Sequence, residues 1–342
     1  MAQQVMSTTI SGADTAVSLD DSDDDLLLTA TGVLESTQRD GITANSTDHD
    51  LIIEGRIEAL NSAVVLGFTS GGLRNSLVVE QSGSLKGGIY GVFVDGALTT
   101  IENHGTIECD GAAVTMSTHG TGTSSLSNSG TIRGTTGIDF SGSESFSITN
   151  TGLIEATDFH AVYVDTAEQD ISITFVNSGE IIGYVSLSSG NDVFDGAAGT
   201  VDGAIEGNDG DDRLTAGAGA DTIVGGLGRD ILAGGDDADF FVFQDDGESG
   251  SKKKTMDVIT DFSRKDGDVI DLAEIDAKTG RTADDTFRFI GDDDFHGRKG
   301  ELRFDIGRDK TFIEADIDGD GKTDFAIMLI GEITMRKGDF EL

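Results

Sequence analysis

The chain of 342 residues has no proline, no tryptophan, a single cysteine and only 23 basic side chains against 63 acidic ones. Each scarcity excludes something. Without proline, no sheet ladder is interrupted by a residue that lacks its N–H. Cys109 has no partner in the sequence, so a disulfide-stapled scaffold is ruled out and an isolated thiol is the plain reading. A formal charge of −40 repels nucleic acid phosphates and anionic membrane surfaces, and makes cations the natural partners. No apolar run is long enough for a transmembrane segment. The first basic residue is Arg39, so the N-terminus lacks the basic start and apolar core of an amino-terminal signal peptide; export is expected to use another route.

What is present is glycine, 48 residues of it, with regularly spaced Val, Ile, Leu and Phe. That combination suits short strands joined by tight turns. From about residue 30 to 185 a loose repeat runs through "GVLE", "GRIEALNSAVVL", "GSLKGGIYGVFV", "GTIECDGAAVTM", "GTIRGTTGIDF", "GLIEATDFHAVYV" and "GEIIGYVSL". Its leading glycines, Gly32, Gly55, Gly83, Gly105, Gly130, Gly152 and Gly179, fall 22 to 28 residues apart, the period of a solenoid. One such unit cannot bury its own apolar face, whereas a stack of them makes a continuous core. Asn103, Asn128, Asn150 and Asn177 each stand two positions before a leading glycine and are expected to form an asparagine ladder. The reading is a parallel β-helix of about seven turns, with insertions such as "GFTSGGLRNS" and "STHGTGTSS" at one corner; a β-sandwich is the alternative. The acidic run "DDSDDD" at residues 20–25 belongs to an expected N-terminal cap.

Near residue 186 the period shortens to nine. In register the blocks are "GNDGDDRLT" (207–215), "AGAGADTIV" (216–224), "GGLGRDILA" (225–233) and "GGDDADFFV" (234–242), with Asp212, Asp221, Asp230 and Asp239 sixth and Leu214, Ile223, Leu232 and Phe241 eighth. An earlier block, "LSSGNDVFD", puts Asp192 and Phe194 in the same places, but two extra residues follow it. Positions one to six turn the chain and seven to nine make a short strand whose eighth side chain points inward. Two blocks complete a coil, so aspartates eighteen residues apart meet on one edge. Unpaired, they repel. A hard cation taking six to eight oxygens from carboxylates and turn carbonyls converts the repulsion into cross-linking, and calcium tolerates such irregular geometry better than magnesium. Zinc would want His or Cys, which these blocks lack.

The G-G-x-G-x-D-x-U-x beat resembles the RTX family of calcium-dependent proteins exported by type I secretion. Downstream, "MDVITDFSRKDGDVIDLAEIDA", "FRFIG", "GELRF", "DIDGDGKTDFAIMLIG" and the final "DFEL" are similar to the C-terminal domain of serralysin-type proteases. The resemblance implies calcium between successive turns. One site takes Asp212 with the carbonyls of Asn208 and Gly210, facing Asp230 with those of Gly225 and Leu227. The next takes Asp221, Gly217 and Gly219 facing Asp239, Gly234 and Asp236. A lower-ranked third joins Asp192, Ser188 and Gly190 to Asp212, Gly207 and Asp209. "DIDGDGKTD" places Asp316, Asp318, Asp320 and Asp324 at alternating spacing, like the first half of a calcium loop that lacks its twelfth-position Glu; a plain turn between strands is the alternative. "DFEL" resembles the uncleaved C-terminal signal read by a type I exporter.

The expected fold is therefore all-β: a right-handed parallel β-helix (30–185, after a cap at 1–29) continuing into a calcium-bound parallel β-roll (186–243), capped by a C-terminal β-sandwich-like, serralysin-like domain (244–342). The expected function is a secreted calcium-binding protein, leaning to a non-enzymatic adhesin, extracellular matrix or surface component with polysaccharide or the cell surface as partner. No zinc protease is expected, because His49, His104, His119, His160 and His296 are scattered and no H-E-x-x-H occurs. The alternative is a β-helical carbohydrate-active enzyme, a polysaccharide lyase or mannuronan epimerase. Its best local candidate is "TDFHAVYVD", where Asp158 and His160 share a strand face and Tyr163 is expected on the other, with Arg133 supplied by a neighbouring coil.

Overall fold

The computed structural model describes residues 2–342 apart from 13, 20, 22–23, 47, 68–73, 97, 119–121, 144, 166–170 and 279–284. Part of the acidic run at 20–25, the centres of the two corner insertions, and His119 lie outside the described residues. The chain is an all-β parallel β-solenoid of about ten turns, with an antiparallel C-terminal portion. It divides into two compact units, Met1–Leu187 and Ser188–Leu342.

In the first unit every coil contributes strands to three parallel ladders. One ladder runs Ala2–Met6, Asp24–Leu28, Asp50–Ile53, Asn75–Val79, Thr99–Asn103, Thr123–Asn128, Ser145–Asn150 and Ile173–Asn177, each strand paired in parallel with the next. Residues 2–28, expected only as a cap, already pair in this way. Thr9–Gly12 pairs with Val33–Ser36 and Val17–Leu19 with Ile42–Ala44, so they form a coil. The leading-glycine motif is missing there, which is why the sequence pattern starts a coil late.

The coils stack in register because inward positions match from turn to turn. Leu34, Ile57, Leu85, Ile107, Ile132, Ile154 and Ile181 lie one above another and are fully buried. The leading glycines recur for a steric reason. A Cβ on Gly105 would lie 2.2 Å from the carbonyl oxygen of Gly83, and one on Gly130 would lie 2.1 Å from that of Gly105. Only a residue without Cβ lets the corners approach so closely.

Next to these corners stands the asparagine ladder. Asn103 Nδ2 donates to Asn128 Oδ1 at 2.7 Å, Asn128 Nδ2 to Asn150 Oδ1 at 2.8 Å, and Asn150 Nδ2 to Asn177 Oδ1 at 2.8 Å. All four side chains are buried. An amide carries both donor and acceptor, so each satisfies its neighbour.

In the second unit the nine-residue blocks form two facing ladders. Val193–Asp195, Arg213–Thr215, Ile231–Ala233 and Asp257–Ile259 make one. Ala204–Asp209, Thr222–Leu227, Phe240–Val242, Val269–Asp271 and Phe340–Glu341 make the other. The eighth-position residues Phe194, Leu214, Ile223, Leu232 and Phe241 are fully buried between them. Asp257–Ile259 also pairs in parallel with Phe325–Ile330, which opens an antiparallel sheet with Lys310–Asp316 and Glu301–Gly307. The last strand is held at its start by Arg264, whose guanidinium bonds both oxygens of Asp339 at 2.8 Å.

Candidate metal centre

The sixth-position aspartates of the roll form two edges, each with a repeating bond. On the first edge the Asp192 N–H donates to Asp212 Oδ1 at 2.7 Å, the Asp212 N–H to Asp230 Oδ1 at 2.8 Å, and the Asp230 N–H to Asp257 Oδ1 at 2.8 Å. On the second edge the Asp221 N–H donates to Asp239 Oδ1 at 2.9 Å, and the Asp239 N–H to Asp268 Oδ1 at 3.2 Å. Each carboxylate thus spends one oxygen on the turn before it.

The other oxygen is the informative one. Oδ2 of Asp212, Asp230, Asp239 and Asp257 is buried with no hydrogen-bond partner. These side chains are at most 2% exposed. An ionised carboxylate is acceptor-only, and burying it without compensation costs several kcal/mol, on the order of the penalty for any isolated buried charge. Burial, with the charges of neighbouring acids adding to it, pushes Asp212 up to about 8, Asp230 and Asp239 up to about 7, and Asp257 up to about 9. Burial raises Asp221 as well.

The first-position glycines keep space beside these oxygens. A Cβ on Gly207 would meet Asp212 Oδ2 at 2.3 Å, one on Gly225 would meet Asp230 Oδ2 at 2.3 Å, and one on Gly234 would meet Asp239 Oδ2 at 2.1 Å. Gly226, at φ +97°, and Gly228, at φ +139°, bring the turn within reach of the carbonyls of Asn208 and Gly210 one coil away. Unpartnered buried carboxylate oxygens among turn carbonyls, in a cradle that a methyl group would fill, fit a hard cation that takes only oxygen ligands.

Several of the residues named from the sequence lie side by side in adjacent coils. Asn208 and Asp209 pair in register with Gly226 and Leu227, Ala218 bridges to Asp236, and the Gly210 N–H donates to the Leu227 carbonyl at 2.7 Å. The Gly217 carbonyl receives the Asp236 N–H at 3.2 Å, and a carbonyl so bonded keeps a second lone pair. Gly219 is at φ +110°, as a residue in such a turn requires. Asp192 and Asp221 have the second oxygen taken: Ser188 donates its N–H to Asp192 Oδ2 at 2.8 Å and its hydroxyl to both oxygens, and the Gly217 N–H reaches Asp221 Oδ2 at 3.2 Å. The carbonyl of Gly190 lies where a Cβ on Gly210 would be, at 2.4 Å. The two extra residues after this block leave the Asp192–Asp212 step undisturbed. Val193 still pairs with Arg213, and Ala204 with Thr222, so the insertion is confined to the opposite turn, where Gly203 stands in the place that Asp221 takes one coil on.

A second cluster lies at 316–324. Ligand atoms of Asp316, Asp318 and Asp324 all come within 4.8 Å of one another. Asp316 is fully buried and accepts the Gly319 N–H at 2.7 Å and the Gly321 N–H at 2.9 Å. Asp320 is outside the cluster; its carboxylate is taken by the Lys322 N–H and ammonium, and that bonding lowers its proton affinity.

Sequence reasoning missed Asp257, Asp261 and Asp268. Asp261 receives the Gly234 and Gly235 N–H groups at 3.1 and 3.0 Å, and Asp268 closes the second edge by taking the Ser263 N–H at 2.7 Å on its other oxygen. The signal was faint but present: "DVI" at 257–259 and again at 268–270 repeats the Asp-x-apolar end of a block.

The site weighed for carbohydrate chemistry takes a different form from that expected. Tyr163 does not face away from His160; the rings are 4.9 Å apart, because bulges between Glu155 and Val162 break the alternation of the strand. Phe159 stacks on Tyr184 at 4.3 Å and meets His160 edge-on at 4.5 Å. Arg133 is engaged elsewhere, bonded to Glu155 at 2.6 Å and 3.8 Å from Glu108. It borders a shallow hollow of about 270 Å³ with Lys86, Glu108, Cys109, Asp110 and Thr157.

With this geometry in place, comparison with known proteins is specific over one segment. Residues 206–241 match the RTX calcium-binding nonapeptide repeat, in four copies. By structure the chain is similar to two subunits of the Azotobacter vinelandii mannuronan C5-epimerase AlgE6. The R2 subunit aligns at 21% identity over 50% of this chain and 91% of its own length, with a TM-score of 0.30. The R3 subunit aligns at 23% identity over 45% and 72%, with a TM-score of 0.25. No curated protein matches the chain by sequence.

Proposed function

We propose that the chain is a secreted protein whose second unit folds around calcium after type I export, and whose role outside the cell is non-enzymatic, as an adhesin or a component of matrix or surface. The observation that carries the calcium reading is the set of buried carboxylate oxygens without partners, Oδ2 of Asp212, Asp230, Asp239 and Asp257. One ion lies between Asp212, Asn208 and Gly210 and Asp230, Gly225 and Leu227. A second lies between Asp221, Gly217 and Gly219 and Asp239, Gly234 and Asp236. A third lies between Asp192, Ser188 and Gly190 and Asp212, Gly207 and Asp209, and a surface ion is held by Asp316, Asp318 and Asp324. The ladder bond is shared by all three roll positions, and the Asp192 position ranks below the other two because Ser188 takes both oxygens of its carboxylate.

Calcium then governs where the unit folds. In a low-calcium compartment the aspartates repel and folding is opposed; at millimolar calcium the binding free energy becomes folding free energy. Such behaviour suits an exporter that threads an unfolded chain. RTX repeats are typical of proteins secreted by this route, and the "DFEL" end and the serralysin-like sequences before it add to that reading.

The cluster of exposed Phe159 and Tyr163 with half-buried His160 and Tyr184 supports a carbohydrate partner, since aromatic faces stack on sugar rings. Arg133 is paired with Glu155 and Glu108, which favours binding over lyase or epimerase chemistry.

The test is calorimetric titration with calcium alongside far-UV circular dichroism. Several ions bind with half-saturation below about 1 mM, as for extracellular calcium modules, and β signal is gained as they bind. A spectrum and melting curve unchanged by chelator overturn the reading.

A further inference from the structure

One ladder of the first unit carries two outward rows that its core does not use. Strands Tyr90–Gly96, Ala112–Thr118, Thr136–Gly142 and Leu153–Asp165 pair in parallel, coil on coil. Val92, Val114, Ile138 and Val162 point inward and are fully buried. One residue on, alternation turns Phe93, Thr115, Asp139 and Tyr163 outward, each in register with the next. Two residues further, Asp95, Ser117, Ser141 and Asp165 make the second row. Neither row holds a lysine or an arginine.

Asp139 is the unusual member. It is half-buried, and among the described residues it has neither a hydrogen bond nor an ion pair. Asp165 is exposed and equally unpaired among the described residues. Burial first, then the charge of Asp165, raises Asp139 from its ordinary value. Thr115, next along the row, is buried, and its Oγ1 has no hydrogen-bond partner. Two carboxylates that feel each other, one of them half out of water, are thus held without a counter-charge.

The aromatic cluster begins one position away. Tyr163 pairs in register with Asp139, a step of about 5 Å between neighbouring strands, and stands two residues before Asp165 on the same strand face. His160 lies 4.9 Å from Tyr163, and Phe159, 52% exposed, lies 4.5 Å from His160. An aromatic platform therefore borders an uncompensated acidic pair.

A pyranose offers an apolar C–H face to an aromatic ring, and the acids beside the ring select the polar group at its rim. A uronate brings a further negative charge and is repelled. A neutral hydroxyl can donate to Asp139 but leaves its charge uncompensated. An ammonium group donates three N–H bonds, cancels charge and is attracted to a tyrosine face as well. We infer that Asp139 and Asp165, together with Tyr163 and Phe159, bind a glycan whose sugars carry free amino groups. The inference deepens the carbohydrate reading of the aromatic cluster and rests on it.

Calorimetry of the full chain in saturating calcium tests it, at mildly acidic pH where the amines are protonated. Salt of about 0.15 M screens long-range attraction to the acidic surface. Short oligomers of β-linked glucosamine, their fully N-acetylated counterparts and oligouronates are compared. The glucosamine oligomer is expected to bind about tenfold more tightly than the N-acetylated one, as one charge-assisted bond gives. Asp139→Asn with Asp165→Asn is expected to abolish that preference, and Phe159→Ala with Tyr163→Ala to weaken both oligomers at least about fivefold. A preference kept by the asparagine variant, or amine binding untouched by loss of the two rings, marks attraction to the acidic surface at large and overturns the inference. Equal or tighter binding of the N-acetylated or uronate oligomer, still lost with the rings, also overturns it while leaving the carbohydrate reading standing. No binding by any oligomer removes both. Should Asp139→Asn fail to fold, Asp165→Asn at its exposed position serves alone: the preference is expected to fall about threefold, as for one surface charge, and an unchanged ratio counts against the site.

Discussion

Each unit of this solenoid runs a polar ladder along its stack, one of asparagines and one of aspartates, and the two solve the same problem differently. In the first unit each amide donates to the next, so the ladder from Asn103 to Asn177 closes on itself. The oxygen left over there is Asn103 Oδ1, at the coil where Val79 takes the preceding place. In the second unit the side chains have no hydrogen to give. The backbone N–H of one aspartate serves one oxygen of the next, and the second oxygen stays open at Asp212, Asp230, Asp239 and Asp257. Replacing an NH2 by an O⁻ turns a self-sufficient ladder into one that needs a cation.

Removing calcium separates the two units most sharply. Hydrogen–deuterium exchange in chelator is expected to show protection lost by orders of magnitude across residues 188–342 and kept in the ladders of 1–187. Equal loss in both units would mean that the asparagine ladder is not self-sufficient.

Acidity is expected to substitute partly for the metal. In the metal-free folded unit Asp212, Asp230, Asp239 and Asp257 are raised from 3.8 to between about 7 and about 9. Folding therefore takes up protons. The stability linked to these groups is full below about pH 4, declines as pH rises, and is lost through the range from about 7 to about 9. Urea melts of the second unit in chelator should show this fall. With calcium present the slope reverses, since protons compete with the ion for the same oxygens. A chelated unit that grows more stable from pH 4 to 9 would contradict the assignment.

The smallest effect sharpens the other side of the comparison. Asn128→Ala leaves Asn103 Nδ2 and Asn150 Oδ1 without their ladder partner, at a cost of about 2–5 kcal/mol for two buried polar groups. The loss, read from the thermal transition of the first unit, should be the same with and without calcium. A calcium-dependent cost would break the distinction.

Much of this was legible in the residues. Leading glycines at 22 to 28 residues fixed the coil length because corners pack carbonyl against Cα, and a Cβ there has no room. The eighth-position apolar residues went inward as their alternation requires. The first coil was hidden because residues 2–28 carry no leading-glycine motif, although their strands pair all the same. The meeting of His160 with Tyr163 was hidden too, since strict alternation separates them and only a bulge rejoins them.

The sequence by itself determined the two periods, the identity of each ladder and the acceptor-only chemistry of the second, because these follow from residue type and spacing. Tertiary structure alone decided where the aspartate edges end. Asp257 and Asp268 follow insertions that bring them 27 and 29 residues beyond their partners instead of eighteen. A loop of any length can close onto a ladder if its ends meet the right strands, since the entropy of closure grows only slowly with length. Membership of an edge is therefore set by strand pairing, which a count along the chain does not reveal.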